Sequence, residues 1–365
     1  MQRVWKKEKG EKMMNLEEVL DRIRPTDRKS MELAAERWRT IGKPLFSLGK
    51  LEDAVIKIAG IKRTPEFSLR KKALVICCAD NGVVEEGVTQ TGQEVTAVVA
   101  ENFTKKATSV CLMAETAGVD LFPCDLGMVT DVPAVTRKED KIAYGTKNFR
   151  KEPAMTRQEA EQGILVGVRI VKELSDKGYD IIATGEMGIG NTTTSSAVAS
   201  VLLEKAVPEV TGRGAGLSSA GLEQKIRVIE DAIALHKPDR TDPLDVLSKV
   251  GGFDIAGLTG VFLGGALYGV PIVIDGFISS VAALLAVKLS GDAVDYMLPS
   301  HRSGEPAGGA VLDALGLSAM LECRMSLGEG SGAVAVMPLL DMGLNVYRNM
   351  STFEEIKVEQ YEELK

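Results

Sequence analysis

The chain has 365 residues, and 44 Lys and Arg against 51 Asp and Glu leave it a formal charge of −7. With 45% apolar and 26% charged residues it is an ordinary globular chain, long enough to bury a core in one large domain or two, which excludes disorder. The mild acidity offers no basic face, so nucleic acid is not an expected partner and any phosphate-bearing ligand is a small molecule held locally.

In chain order, residues 1–13 read as a loose tail whose positive charge has no apolar h-region behind it, so no secretory signal is expected. Residues 14–50 read as amphipathic helices, the first opened by Asn15 and Leu16. A repeating unit follows: a short β-branched run, a Gly- or Asp-rich loop, then an apolar-periodic helix, which is the pattern of parallel βα units. Its strands are Ala73–Ala79 into Asp80-Asn-Gly82, Val119–Cys124 into Asp125-Leu-Gly127, Asp180–Thr184 into Gly185-Glu-Met-Gly188 and Pro271–Asp275 into Gly276. A weaker fifth, Asp295–Leu298, leads into Pro299-Ser-His301. The stretch Gly257–Val287 is nearly apolar, but Gly264-Gly265, Gly269, Pro271 and Asp275-Gly276 interrupt it, so it reads as a buried helix, strand and helix and no membrane is an expected partner. Beyond residue 305 only helices are expected, ending in a charged, solvated helix over Glu354–Lys365.

The fold class is therefore α/β: a Rossmann-like parallel sheet covered by helices on both faces, because nearly all-apolar strands are buried on both sides. Residues 51–305 form the large domain, and 14–50 with 306–365 form a smaller helical domain built from both chain ends. Ligands of such sheets sit at the carboxyl ends of the strands, where many of the 37 glycines cluster.

Five cysteines, Cys77, Cys78, Cys111, Cys124 and Cys323, form no CxxC pair and read as reduced core residues of a cytosolic protein. His236 and His301 are the only histidines, too few for a zinc site made of several.

Gly185-Glu-Met-Gly-Ile-Gly-Asn-Thr-Thr-Thr194 follows a strand and opens a helix, with Asn191 or Thr192 as candidate N-cap. Glycine-rich backbone N–H groups at the positive end of a helix make an anion site, although a turn that merely permits tight packing explains the loop equally well. Thr193 replaces the last glycine of GxGxxG and no Gly-Lys-Ser/Thr follows, which disfavours a dinucleotide dehydrogenase or a P-loop kinase. Gly212-Arg-Gly-Ala-Gly216 and Gly328-Glu-Gly-Ser-Gly332 share a Gly-x-Gly-x-Gly spacing that lets a ligand or another backbone approach closely. Glu329, a lone carboxylate among small residues, is placed for a raised pKa and general-base work; a helix-end glutamate favoured by the dipole is the plainer reading. Arg302 and Ser303, beside His301, could hold a phosphate.

Taken together, Asp80-Asn-Gly-Val with Gln93-Glu-Val-Thr96, the Gly185 and Gly212 loops, Gly251-Gly-Phe-Asp-Ile255, Ile274-Asp-Gly-Phe277, Ser300-His-Arg-Ser303 and Leu327-Gly-Glu-Gly-Ser-Gly332 resemble the nicotinate-nucleotide:5,6-dimethylbenzimidazole phosphoribosyltransferases of cobalamin biosynthesis, in order over about residues 14–352. The resemblance implies transfer of ribose 5-phosphate from nicotinate mononucleotide to a benzimidazole-type base, without metal or other cofactor. It implies Glu329 as general base and Glu186 as a second catalytic group. Gly188, Gly214, Lys225, Gly276, Ser303 and Gly304 would contact phosphate and ribose, and Gln93 would belong to the base pocket. It also implies a homodimer, with a pair of homologous subunits as the alternative. The chain departs from the family at Asn81, where many members have His, and over Val88–Gly92, which leaves dimethylbenzimidazole, another benzimidazole, adenine and a phenol open as acceptors.

Overall fold

The computed structural model describes residues 14–363, so the expected tail at 1–13 lies outside the described residues. Asn15 opens α1 (Leu16–Leu20) through a reciprocal capping box with Glu18. α2 (Arg28–Thr40) and α3 (Lys50–Lys62) follow, then β1 (Lys72–Ala79), a 3-10 turn at Gly82–Glu86, α4 (Glu94–Thr104), α5 (Ser109–Ala117), β2 (Val119–Gly127) and, after a long irregular segment, α6 (Arg157–Asp176). β3 (Ile181–Met187) leads through α7 (Asn191–Leu203), α8 (Val207–Val210), α9 (Ser219–His236), α10 (Pro243–Val250) and α11 (Phe253–Tyr268) to β4 (Ile272–Ile274). α12 (Phe277–Leu289), β5 (Met297–Pro299), α13 (Gly308–Ala314) and α14 (Ser331–Asn349) complete the elements of the described residues.

The five strands are all parallel, in the order β2-β1-β3-β4-β5. Alternate side chains of each strand enter two separate cores. Ala73, Val75 and Cys77 of β1 face the core formed with α1, α6 and α7 to α13, whereas Leu74, Ile76 and Cys78 face the core formed with α2 to α5 and α14. Helices thus cover both faces, as the apolar strands require. α11 is apolar all round and buried from Phe253 to Ala266, and no helix of the described residues is long and apolar enough to cross a membrane.

Three local expectations need correction. Asp295 and Tyr296 belong to a 3-10 turn, Gly291–Tyr296, and the fifth strand starts at Met297. The chain from Glu354 to Glu363 is not a helix but a turn and an irregular segment, with Ile356, Val358 and Tyr361 exposed; its charges give no apolar stripe to dock, and a short undocked helix does not hold itself together in water. Cys323 is exposed while the other four thiols are free and buried, because the segment around it, 322–327, is surface loop.

Candidate active site

The order of the sheet reverses between β1 and β3, and ligands of such sheets bind near that point, off the carboxyl ends of the strands. A cavity of about 250 Å³ lies there. Its wall is made by the ends of β3 and β4, the loop after β5, the Gly214 loop and the loop before α14. The structure brings Glu186, Gly188, Gly214, Gly276, Ser303 and Glu329 to this one cavity, together with Asp275, His301 and Glu305.

Each loop has a local reason for its shape. Gly190, at φ 92°, caps α7, so neither Asn191 nor Thr192 is the N-cap and Asn191 is the first helical residue. Its side-chain amide bridges two carboxylates instead, donating to Glu186 Oε2 and, at 3.0 Å, to Asp254 Oδ2. Gly188 is where the backbone crosses β1: a side chain there would run into the carbonyl of Ala79. Glu329 is not inside a helix; it precedes Gly330, the N-cap of α14, and takes φ 61° between Gly328 at 80° and Gly330 at 90°.

The electrostatics are dominated by burial. Glu186 is buried at the end of β3, and desolvation, reinforced by the nearby Asp254 charge, pushes its pKa up to about 8, so it holds a proton at neutral pH. Asp254, fully buried, is pushed by desolvation to about 6. Desolvation and then the Asp275 charge also raise Glu329 above the usual carboxylate range, while the Val110 N–H at the start of α5 pulls it down. One of its oxygens, Oε2, is buried without a hydrogen-bond partner. A carboxylate so placed can accept a proton from a ligand in the cavity.

Lys225 does not line the cavity but stands behind it. Its Nζ donates to Thr192 Oγ1 at 2.8 Å and to the Gly212 carbonyl at 3.1 Å, and burial lowers its pKa to about 8 against the raising effect of Glu305. Gly304 lies beside Ser303, its N–H donating to the Met325 carbonyl at 3.1 Å. Gln93 sits apart from the cavity, its Nε2 donating to the Asn81 carbonyl at 2.9 Å; from α4 it is Val99 that reaches the wall. Arg302 is exposed and packs its guanidinium over Gly309.

Asp254 and Asp275 are site residues that motif spacing does not mark, although both stand within Gly251–Ile255 and Ile274–Phe277. Their signal is a lone acid in an otherwise apolar run. Among the described residues no group of three or more His, Cys, Asp and Glu side chains is arranged to hold a metal ion.

A parallel sheet with a cavity at its switch point, walled by glycine loops and by carboxyls whose pKa burial raises, defines an α/β enzyme acting on a small ligand. The family model described as "Phosphoribosyltransferase" matches residues 23–358. The chain is 47% identical, over 96% of its length and 100% of the relative's, to the nicotinate-nucleotide–dimethylbenzimidazole phosphoribosyltransferase of Clostridium acetobutylicum. It is 46% identical to the protein of the same name from Ruminiclostridium cellulolyticum, with the same coverage. The crystal structure of CobT from Thermus thermophilus superposes with a TM-score of 0.86 at 34% identity, covering 91% of this chain and 100% of that one. The chain belongs to the nicotinate-nucleotide–dimethylbenzimidazole phosphoribosyltransferase family.

Proposed function

We propose that this enzyme transfers the phosphoribosyl group of nicotinate mononucleotide to 5,6-dimethylbenzimidazole or a related lower-ligand base, giving the α-ribotide and nicotinate. The observation that carries this reading is the Glu329 carboxyl, with an unpartnered oxygen, in the same cavity as the glycine loops. Glu329 takes the N–H proton of the azole while its other ring nitrogen bonds to the anomeric carbon. The bond to nicotinate breaks with its electron pair returning to the pyridine nitrogen, so the leaving group needs no proton. Gly188, Gly214, Gly276, Ser303 and Gly304 hold phosphate and ribose, with the Lys225 charge behind them, and positioning plus one base supplies the catalysis. Glu186, protonated at neutral pH, is a hydrogen-bond donor to the bound donor nucleotide, and Gln93 belongs to the base pocket only as an outer residue that braces the Asn81 carbonyl.

In this reading the enzyme is a cytoplasmic homodimer. Its helical part, 14–50 with 306–365, delivers the Glu329 loop to the α/β part over 51–305. The test is to incubate the protein with nicotinate mononucleotide and dimethylbenzimidazole, benzimidazole, adenine or phenol in turn, following nicotinate and ribotide by chromatography. Ribotide from a benzimidazole, lost by at least about a hundredfold in Glu329→Ala, is the expected result. Full turnover in that variant removes the mechanism, and ribotide only from phenol or adenine reassigns the acceptor.

A further inference from the structure

The loop that carries Glu329 has no cap of its own. The first N–H groups of a helix lack intrahelical partners, and an N-cap side chain ordinarily takes one of them. Here the N-cap is Gly330, which has no side chain, and the hydroxyl of Ser331 is buried without a partner. The acceptor comes from elsewhere in the fold. Asp275, 3% exposed just beyond β4, takes the N–H of Gly332 at 2.7 Å and of Ala333 at 3.0 Å on Oδ1, and that of Gly330 at 3.3 Å on Oδ2.

Asp275 is itself fixed to the sheet. Its N–H donates to Ser279 Oγ at 3.2 Å, and its carbonyl accepts from Ser300 Oγ at 3.0 Å. On the other side the backbone of Glu329 is hemmed in by β3: a side chain at Gly185 would meet the Glu329 carbonyl at 2.6 Å. Three successive left-handed residues, Gly328 to Gly330, aim the Glu329 side chain, and that conformation persists for a glutamate only where its surroundings over-determine it. The Asp275 bonds fall on the residues immediately after it.

We propose that Asp275 is a positioning residue for Glu329: it clamps the first turn of α14 to the end of β4 and thereby fixes the backbone that aims the base into the cavity. This rests on Glu329 being the base. The clamp acts on charge as well as on shape. The titratable and polar groups facing Glu329 are Asp275 beyond β4, Glu186 of β3 with Asp254 of α11 behind it, His301 after β5 and the Val110 N–H of α5. Among these the Asp275 charge is the one that makes Glu329 a stronger base.

The experiment compares wild type, Asp275→Asn and Glu329→Gln in the ribotide assay from pH 5 to 9. Asp275→Asn keeps the size of the side chain but removes the charge and turns one of the two accepting oxygens into an NH2 donor that faces backbone N–H groups, which loosens the clamp. Its expected signature is a kcat lower by about tenfold to a hundredfold with the KM for nicotinate mononucleotide little changed, because a misaimed group loses rate rather than ground-state binding. The acid limb of its kcat/KM profile moves to lower pH, since Glu329 loses a negative neighbour. An unchanged kcat with an unmoved limb overturns the proposal. Should Asp275→Asn not fold, amide exchange of the wild type decides: Gly330, Gly332 and Ala333 must exchange slowly together, and exchange at unprotected rates sinks the clamp. Turnover in Glu329→Gln refutes the base assignment itself, whereas an inactive Glu329→Gln beside a fully active Asp275→Asn refutes only the clamp.

Discussion

Glu186 is held in its neutral form by the fold, and that has a cost which depends on pH. In the unfolded chain it ionises around the ordinary value of 4.5, whereas in the fold it keeps its proton up to about 8. Between those values the native state binds the extra proton, so this group withdraws stability as pH rises from about 4.5 to about 8 and withdraws no more beyond it. Glu186→Gln should therefore raise stability on the order of 1–3 kcal/mol at pH 8, with the gain shrinking toward zero near pH 4.5; urea unfolding of both proteins at pH 5, 7 and 8 measures it. Equal midpoints at pH 8 would mean that water or a cation compensates the charge. At this scale the sequence was legible where local spacing carries meaning: the Gly185 loop set Glu186 and Gly188 at the carboxyl end of a strand, whereas joining Gly214 and Glu329 to them rested on the family resemblance. The pairing of Asn191 with Asp254, and of Asp275 with Gly330 to Ala333, was not legible, because each joins segments far apart in the chain.

Among the elements, α6 and α11 show how far glycine decides packing. A side chain at Gly167 would run into the carbonyl of Gly257, and one at Gly260 into the carbonyl of Ile164, so the two backbones touch with nothing between them. Alanine is the better helix former by about 1 kcal/mol, yet here its methyl must push two buried helices apart. Gly260→Ala is expected to destabilise by about 1–3 kcal/mol net, read as a lower urea midpoint with an unchanged slope; a stabilised variant would show that the helices separate freely. The apolar run of α11 and the nearly all-apolar strands were readable in advance. Their close approach depends on which glycines face one another, and that is a property of the pair. The misread C-terminal helix has the complementary explanation: residues 354–363 have the polar composition of a helix surface but no core to lie on, apart from Phe353, whose ring meets Tyr361 at 5.0 Å.

At the scale of the molecule, the proposed homodimer predicts a light-scattering mass near twice the 39.1 kDa of one chain, and a mass near 39.1 kDa would remove it. The sheet itself is built entirely from parallel pairings, which bring distant segments together and fold slowly. α14 contributes Ala333, Val334, Val336, Met337 and Leu340 to the core shared with α2 to α5, and it lies after all five strands in chain order. Without it, Leu74 and Ile76 of β1 and Ile181 and Ala183 of β3 lose part of their cover, and Asp275 lacks the amides it binds. Sealing that face of the sheet and seating Glu329 are thus one and the same event, the docking of α14. A chain cut before Ser331 keeps Glu329 but neither covers that apolar face nor clamps the backbone of Glu329, so it is expected to be sticky as well as slack at that loop.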